Sequence, residues 1–396
     1  MSLAEHTPLR KPGPQAPAVK APKGFEPGVA YEPGAMLVTT GPMPHLGTED
    51  DWRQTVEDLG LTIPEGWSVR LVEARFDPVA WTREEQGKDA ITRPVWRYRF
   101  AVEQTSLVGQ LDESLLTAAL KAKAPAATPA HGHGAYVIAI GDTQIGKVDL
   151  NGGTYEAVNR IMRSVDLAIR RYKAMPKAYR PPTILLALLG DHVEGMTSQG
   201  GRLAWRTDLG ATDMVRVWRR TLLEVVRRVA HLGVDVKVAG ITGNHDEAIR
   251  QPVTTYANDS WAIDAMSAVA DVCAENSAAF GKVSFYFPED DRLDLTIEVG
   301  GTIITLAHGH KWKSGKAMEW WAGQAHGMQP AGHATLLLSG HYHHLSVLTD
   351  GAKTHIQVPA MDGGSGWWRD ATGLDAEPGL VTLLVADGAW SGLEVL

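Results

Sequence analysis

Five apolar runs in the last two-thirds of this chain each end in, or just beyond, a glycine set among carboxylate, amide or imidazole side chains. They close as Ile140-Gly141-Asp142-Thr143-Gln144, Leu189-Gly190-Asp191-His192-Val193-Glu194, Ile241-Thr242-Gly243-Asn244-His245-Asp246, Leu306-Ala307-His308-Gly309-His310 and Ser339-Gly340-His341-Tyr342-His343-His344. A short, continuous apolar run is the pattern of a strand buried on both faces, and polar groups at its end are delivered to one rim of a sheet. Glycine beside them lets the backbone turn sharply there. Any one of the five is also how an ordinary strand closes. All five in this order imply one shared site.

Helix-period segments lie between the runs. Residues 153–173 repeat Ala157, Ile161, Val165 and Ile169 at four-residue spacing, and 212–232 set Val215, Trp218, Leu222, Val225 and Val229 opposite Arg216, Arg220 and Arg227. A further helix is expected near 261–275. Strands are expected at 136–140, 183–189, 234–241, 302–307, 336–339, 354–359 and 380–385, with 283–287 and 293–299 pairing to each other. Helical crossovers early and strand-rich returns late indicate an α/β domain over 135–396, either a two-sheet sandwich with helices outside or one mixed sheet.

The remainder divides by composition. Residues 1–48 carry nine of the 22 prolines and no apolar periodicity, which predicts a disordered arm. Residues 49–106 read as a small α+β module: a helix at 55–61, a turn at 64–66, and strands at 67–76 and 95–102. Its sequence does not specify a role; docking to a protein partner or self-association through 51–104 is the expectation, with a nucleic-acid-binding module as the alternative. A helix within 107–120 and an Ala/Pro/Gly/His linker complete a connecting segment, 107–134. His131 and His133 in that linker have no further ligand nearby and read as solvated.

The chain's 396 residues are enough for a large core. The single cysteine, Cys273, excludes an intramolecular disulfide framework and a cysteine-rich zinc site, and fits a reducing compartment. No signal-peptide pattern and no membrane-spanning apolar run is present, so the expectation is a cytoplasmic protein with no membrane partner. A formal net charge of -8 argues against a surface that coats duplex DNA, while leaving room for a local basic rim.

The mixed oxygen and nitrogen donors at the five strand ends suit divalent-metal chemistry. Two ions roughly 3.5–4 Å apart need a bridging carboxylate with neutral imidazole and carbonyl ligands, so that positive charge remains to polarise a phosphate. A donor set without thiolate favours manganese, iron or zinc over copper. The ordered blocks Asp-x-Gln, Gly-Asp-x-x-Glu, Gly-Asn-His-Asp, a lone His and Gly-His-x-His resemble those of the calcineurin-like metallophosphoesterase superfamily, over about two-thirds of the chain. The motif set is also similar to that of double-strand-break repair nucleases.

That resemblance implies a metallophosphoesterase-type β-sandwich flanked by helices and two divalent metal ions, manganese foremost. It implies Asp142, Gln144, Asp191 and His343 around the first ion, and Asp191, Asn244, His308 and His341 around the second, with Asp191 bridging. His245 falls where the family keeps a catalytic histidine off the metals and over the scissile phosphate, with Asp246 expected to orient its ring. A bridging hydroxide would attack phosphorus in line. Gln144 stands where the family usually has histidine, which predicts weaker binding of the first ion. His310 is the alternate for His308; His192 and His344 are expected either to make supporting hydrogen bonds or to face solvent, and Glu194 to support its loop.

The loops beyond the motifs suggest the substrate. Arg202, Trp205 and Arg206 follow the second block; Lys311, Trp312, Lys313, Lys316, Trp320 and Trp321 follow the fourth; and Trp367, Trp368 and Arg369 lie past the fifth. Aromatic faces for bases beside cations for phosphates favour a nucleic acid or nucleotide substrate. The expectation is therefore a metal-dependent phosphodiesterase, a nuclease on DNA or RNA. The alternatives are a phosphomonoesterase on nucleotides or phosphoproteins, and a degenerate nucleic-acid-binding module. For each tryptophan, packing beneath a loop is the competing explanation.

Overall fold

The computed structural model describes residues 27–32, 35–43, 46, 49–63, 67–77, 95–104, 113–196, 206–248, 256–366, 369–370, 373, 375 and 377–396. They fall into two compact units, Met1–Gln110 and Leu111–Leu396.

In the first unit, strands β1 (Gly28–Glu32), β2 (Ala35–Thr39), β3 (Trp67–Asp77) and β4 (Val95–Gln104) form an antiparallel sheet in the order β1-β2-β4-β3. Period-two alternation sends Tyr98, Phe100 and Val102 of β4 into one core with Met36, Val38 and Val69. Helix α1 (Glu49–Asp58) adds Val56 to that core. The expectation of a disordered arm through residue 48 fails over 28–32 and 35–39. From Gly28 the chain is paired strand, and Met36 and Val38 are buried. Proline content had outweighed the Met36, Val38 alternation. Residues 1–26 lie outside the described residues.

The second unit is a two-sheet sandwich. One sheet holds β5 (Ala135–Ile140), β6 (Thr183–Leu188), β7 (Asp235–Gly240) and β8 (Val283–Tyr286) in parallel, extended by antiparallel β14 (Val381–Ala386) and β15 (Ala389–Val395) in the order β15-β14-β5-β6-β7-β8. The other holds β9 (Asp294–Val299), β10 (Thr302–Ala307), β11 (Leu336–Ser339), β12 (Ser346–Asp350) and β13 (Lys353–Gln357) in the order β12-β13-β11-β10-β9. Val137, Ala139, Leu185 and Ala239 from the first sheet meet Ile304, Leu306, Leu338 and Ile356 from the second in the central core.

The intervening residues Tyr136, Ile138 and Ile140 are buried too, which is why these strands read as unbroken apolar runs. Helices cover their outer face. Helix α2 (Glu113–Leu120) precedes the sandwich; α3 (Thr154–Ala174), α4 (Ala211–Ala230) and α5 (Trp261–Glu275) follow, and α6 (Ser277–Phe280) is a single turn. Helix α3 buries Ala157, Ile161, Val165 and Ala168 at helical spacing. The Ser260 hydroxyl caps α5 by accepting from the backbone N–H groups of Ala262 and Ile263. On the far side of the other sheet, α7 (Ala317–His326) packs Ala317 and Trp321 against Ala307 and Leu337.

Two expectations fail. Residues 283–287 and 293–299 do not pair: β8 joins β7, and β9 joins β10, so the chain changes sheets between them. The expected linker is not free either. The backbone N–H groups of Thr128, His131 and Gly132 donate to Leu232, Lys177 and Arg180, and Arg180 reaches back to the Pro129 carbonyl. Among the described residues no helix is long and apolar enough to cross a membrane.

Candidate metal centre

The strand ends continue to pair after the strands themselves stop. Backbone N–H groups of Asp142, Gln144 and Ile145 donate to the carbonyls of Gly190, Asp191 and His192 at 3.0 Å each, which zips the first two polar turns together. His341 donates its N–H to Asp142 Oδ2 at 2.8 Å, joining the two sheets at one rim, and Gly340 donates to the His308 carbonyl between neighbouring strand ends of the second sheet. Such closeness depends on glycine. A Cβ at Gly243 would sit 2.0 Å from Asp191 Oδ1, and one at Gly340 would sit 2.4 Å from Asp142 Oδ2.

Seven described non-glycine residues have positive φ, and five of them are expected metal ligands: Asp142, Gln144, Asp191, His341 and His343. Left-handed backbone is strained for a side-chain-bearing residue and concentrates at functional sites.

Asp191, His308 and His341 each place one donor atom so that all three lie within 4.8 Å of one another. His308 Nδ1 donates to the Leu189 carbonyl at 2.8 Å, which turns Nε2 toward Asp191 Oδ2 at 3.0 Å. Asn244 is flanked by two residues that touch Asp191, Gly243 and His245, and its buried Oδ1 finds no hydrogen-bond partner among the described residues. One carboxylate, two imidazoles and an orphaned amide oxygen fit a divalent cation.

The charge balance agrees with that fit. Burial works against charge on Asp191, but His308 and His245 hold its carboxyl well below the usual range. Burial likewise opposes charge on His308, and Asp191 overrides it, raising the imidazole to about 9. His341 moves the other way, to about 4, through burial and the neighbouring His308. His310 drops to about 3 for the same two reasons, and its ring lies 5.5 Å from that of His308.

The residues expected around the first ion are brought together, but they do not offer the same opening. His343 Nε2 lies 3.2 Å from Asp142 Oδ1. The Gln144 side-chain oxygen, however, accepts from the Lys147 ammonium at 2.7 Å. Lys147 also pairs with the buried Asp362, whose Oδ2 lies 3.4 Å from His343 Nδ1. Burial would lower the Lys147 pKa, but Asp362 more than offsets it and raises it. His343 rises to about 10, because Asp142 and Asp362 overcome its burial. Sequence reasoning missed both Lys147 and Asp362. The lysine three residues beyond Gln144 was visible, whereas its partner is distant in sequence.

Around His245 the expected partner is corrected. Asp246 does not touch the ring: Oδ1 accepts the N–H groups of His192 and Val193, and Oδ2 accepts that of Gly243, so this carboxylate ties the second turn to the third. Glu194 faces the ring instead: its backbone carbonyl accepts from Nδ1 at 3.2 Å, and a carboxylate oxygen lies at the same distance as an ion-pair partner. Burial disfavours the imidazolium, but Asp191 and Glu194 raise His245 to about 9. His192 stacks on Trp218 at 4.3 Å inside the core, and burial takes it down to about 3. His344 hydrogen-bonds the Tyr342 carbonyl.

The rim is reduced by the structure. Trp321 is 1% exposed, donates Nε1–H to the Ala331 carbonyl and carries the Lys353 ammonium 4.4 Å above its ring, so it is core and offers no face to a base. Trp312 is 9% exposed and packs on Trp320, which is half-buried. Together with His308, His310 and Lys311 these two rings line a cavity of about 110 Å³ beside the metal-ligand cluster. Lys311, Lys313 and Lys316 are exposed. Arg206 pairs with Asp149 at 3.1 Å, and Arg369 with Asp370 at 3.8 Å. Arg202, Trp205, Trp367 and Trp368 lie outside the described residues.

No curated protein matches the sequence. Among solved structures, vacuolar protein sorting 29 from Cryptosporidium parvum is 16% identical, with 67% of this chain and 98% of that chain covered and a TM-score of 0.30. A structure titled as a novel archaeal phosphodiesterase is 12% identical, with coverage of 66% and 99% and a TM-score of 0.32. Vps29 from Entamoeba histolytica complexed with zinc is 14% identical, with coverage of 64% and 88% and a TM-score of 0.28. A family model described as calcineurin-like phosphoesterase matches residues 135–345, which contain every one of the five polar turns. The chain belongs to the calcineurin-like phosphoesterase family.

Proposed function

We propose that this chain is a metal-dependent phosphodiesterase that cleaves nucleic acid. The observation that carries the reading is the cluster of Asp191, His308 and His341, joined by the buried, unpartnered oxygen of Asn244, whose neighbours Gly243 and His245 both approach Asp191. A divalent ion held there, manganese foremost, supplies Lewis-acid polarisation of the phosphate and lowers the pKa of water.

The chain's own groups have separate parts in this reading. Asp191 Oδ1 accepts the His245 N–H at 2.7 Å, which fixes the catalytic histidine's backbone against the cluster. Asp191 and Glu194 together favour the protonated His245 ring, so it can stabilise charge developing on phosphate and give a proton to the leaving oxygen. Asp246 holds the two turns that carry these residues in register. The cavity walled by Trp312 and Trp320, with Lys311 at its edge, supports a nucleotide base and phosphate as neighbours of the scissile bond.

The test compares manganese-loaded protein on bis(p-nitrophenyl) phosphate and p-nitrophenyl phosphate, followed by product analysis on single- and double-stranded oligonucleotides. Faster diester turnover and metal-dependent oligonucleotide cleavage are expected. A preference for the monoester, or intact oligonucleotides, overturns the reading.

A further inference from the structure

The two ligand sets at the rim are not equivalent, and the difference lies in a lysine. Each set has one carboxylate or amide oxygen without a hydrogen-bond partner among the described residues, Asn244 Oδ1 in the second and Asp142 Oδ1 in the first, so the two differ at their amide ligands. In the first, Gln144 Oε1 already has a partner, the Lys147 ammonium at 2.7 Å. The ammonium is fixed from several sides. Lys147 N–H donates to the Gln144 carbonyl, closing a tight turn through Gly146, whose φ is 104° and whose absent Cβ would strike Met214. Asp362 receives the ammonium from the other side, and its second oxygen accepts the Gly364 N–H at 3.0 Å. Asp362 itself is brought in by Met361, whose N–H donates to the Asp142 carbonyl.

A cation bound by Gln144 Oε1 would sit within a few ångströms of this ammonium, and two positive charges at such separation repel strongly in a partly buried site. The Lys147 side chain is 12% exposed and Asp362 3%, so water does little to screen the contact. A lysine ammonium is also a compact point charge, the side-chain group nearest in kind to a bound ion.

We infer that Lys147 takes the place of the first metal ion: the chain holds one resident divalent cation, at Asp191, Asn244, His308 and His341, and the Lys147 ammonium supplies the second positive charge through Gln144. This rests on the metal-binding part of the proposed function and is independent of the substrate. Glutamine at position 144 is then no weakened ligand but a matched partner for the lysine.

The experiment counts metal. Dialysed full-length protein is titrated with manganese and followed by elemental analysis and electron paramagnetic resonance. One equivalent per chain and an uncoupled six-line spectrum are expected, with any second ion at least about 100-fold weaker. The double variant Gln144→His, Lys147→Ala should take up two equivalents and show an exchange-coupled spectrum. Two ions of similar affinity in the wild type overturn the inference whether or not the variant folds, and so does a folded double variant that still holds one. No bound ion overturns the inference and the metal-dependent reading together. Two ions with diester cleavage sink only the inference, and one ion without cleavage sinks only the substrate reading.

Discussion

Glu194 places a carboxylate oxygen 3.2 Å from Nδ1 of His245, in a pocket where both side chains are nearly closed to solvent. The contact favours the imidazolium, and the first prediction follows from its sign. His245 is raised to about 9, so it carries its proton below that value and loses it above. Glu194→Gln removes one of the two anions responsible. The alkaline limb of the pH–rate profile should move to lower pH by about one unit or more. His245→Ala should lower turnover about 10²- to 10⁴-fold with metal content unchanged. An unmoved alkaline limb in Glu194→Gln would separate the two residues functionally.

Metal affinity should rise with pH. His308 holds a proton up to about 9 when paired with Asp191, and an ion must displace it from Nε2, whereas His341, lowered to about 4, has none to lose. Between about pH 6.5 and 9, Kd for manganese should tighten roughly tenfold per pH unit for the one proton released. Calorimetry in buffers of different ionisation heat reads that proton directly. A pH-independent Kd contradicts the assignment of His308 as a ligand.

Asp246→Asn should act mainly on stability. An amide can accept on one side only, so at least one of the three backbone N–H groups now bound loses its acceptor in a buried place. A loss of about 1–3 kcal/mol is expected in urea unfolding. An unchanged midpoint would show that these turns hold their register by other means.

The adjacent tryptophans of α7 should separate cleanly. Trp321→Ala empties a core position and should cost about 3–5 kcal/mol in stability. Trp320→Ala, at the cavity wall, should spare most of that and weaken single-stranded oligonucleotide binding by about 1–3 kcal/mol, measured by fluorescence anisotropy. Equal oligonucleotide affinity in wild type and Trp320→Ala would remove the cavity from the substrate path.

The five donor-bearing strand ends were legible in sequence because strands buried on both faces announce themselves as apolar runs, while the choice of ligands among those donors came from the family resemblance. Less legible was anything that depends on which way a side chain points. Trp320 and Trp321 are neighbours in sequence, yet one lines a cavity and the other fills the core, and no pattern in α7 separates them. Glu194 and Asp246 each stood beside a recognisable block, but which carboxylate meets the His245 ring depends on how two turns interlock. Lys147 and Asp362 are 215 residues apart, and an ion pair has no spacing rule. The β8 and β9 runs were assigned to each other because they are consecutive, although the short crossing between them carries the chain from one sheet to the other.

The left-handed backbone at Asp142, Gln144, Asp191, His341 and His343 also bears on engineering. Glycine would relieve on the order of 1 kcal/mol of backbone strain at each turn, but at Asp142 and Asp191 it would also strip the carboxylates that accept the His341 and His245 N–H groups. A laboratory selection for heat resistance alone should therefore accept glycine only where the lost side chain carries no buried hydrogen bond or ion pair, and each such gain would cost the site a ligand. Any thermostabilisation campaign on this scaffold has to hold them fixed and look for its gains elsewhere.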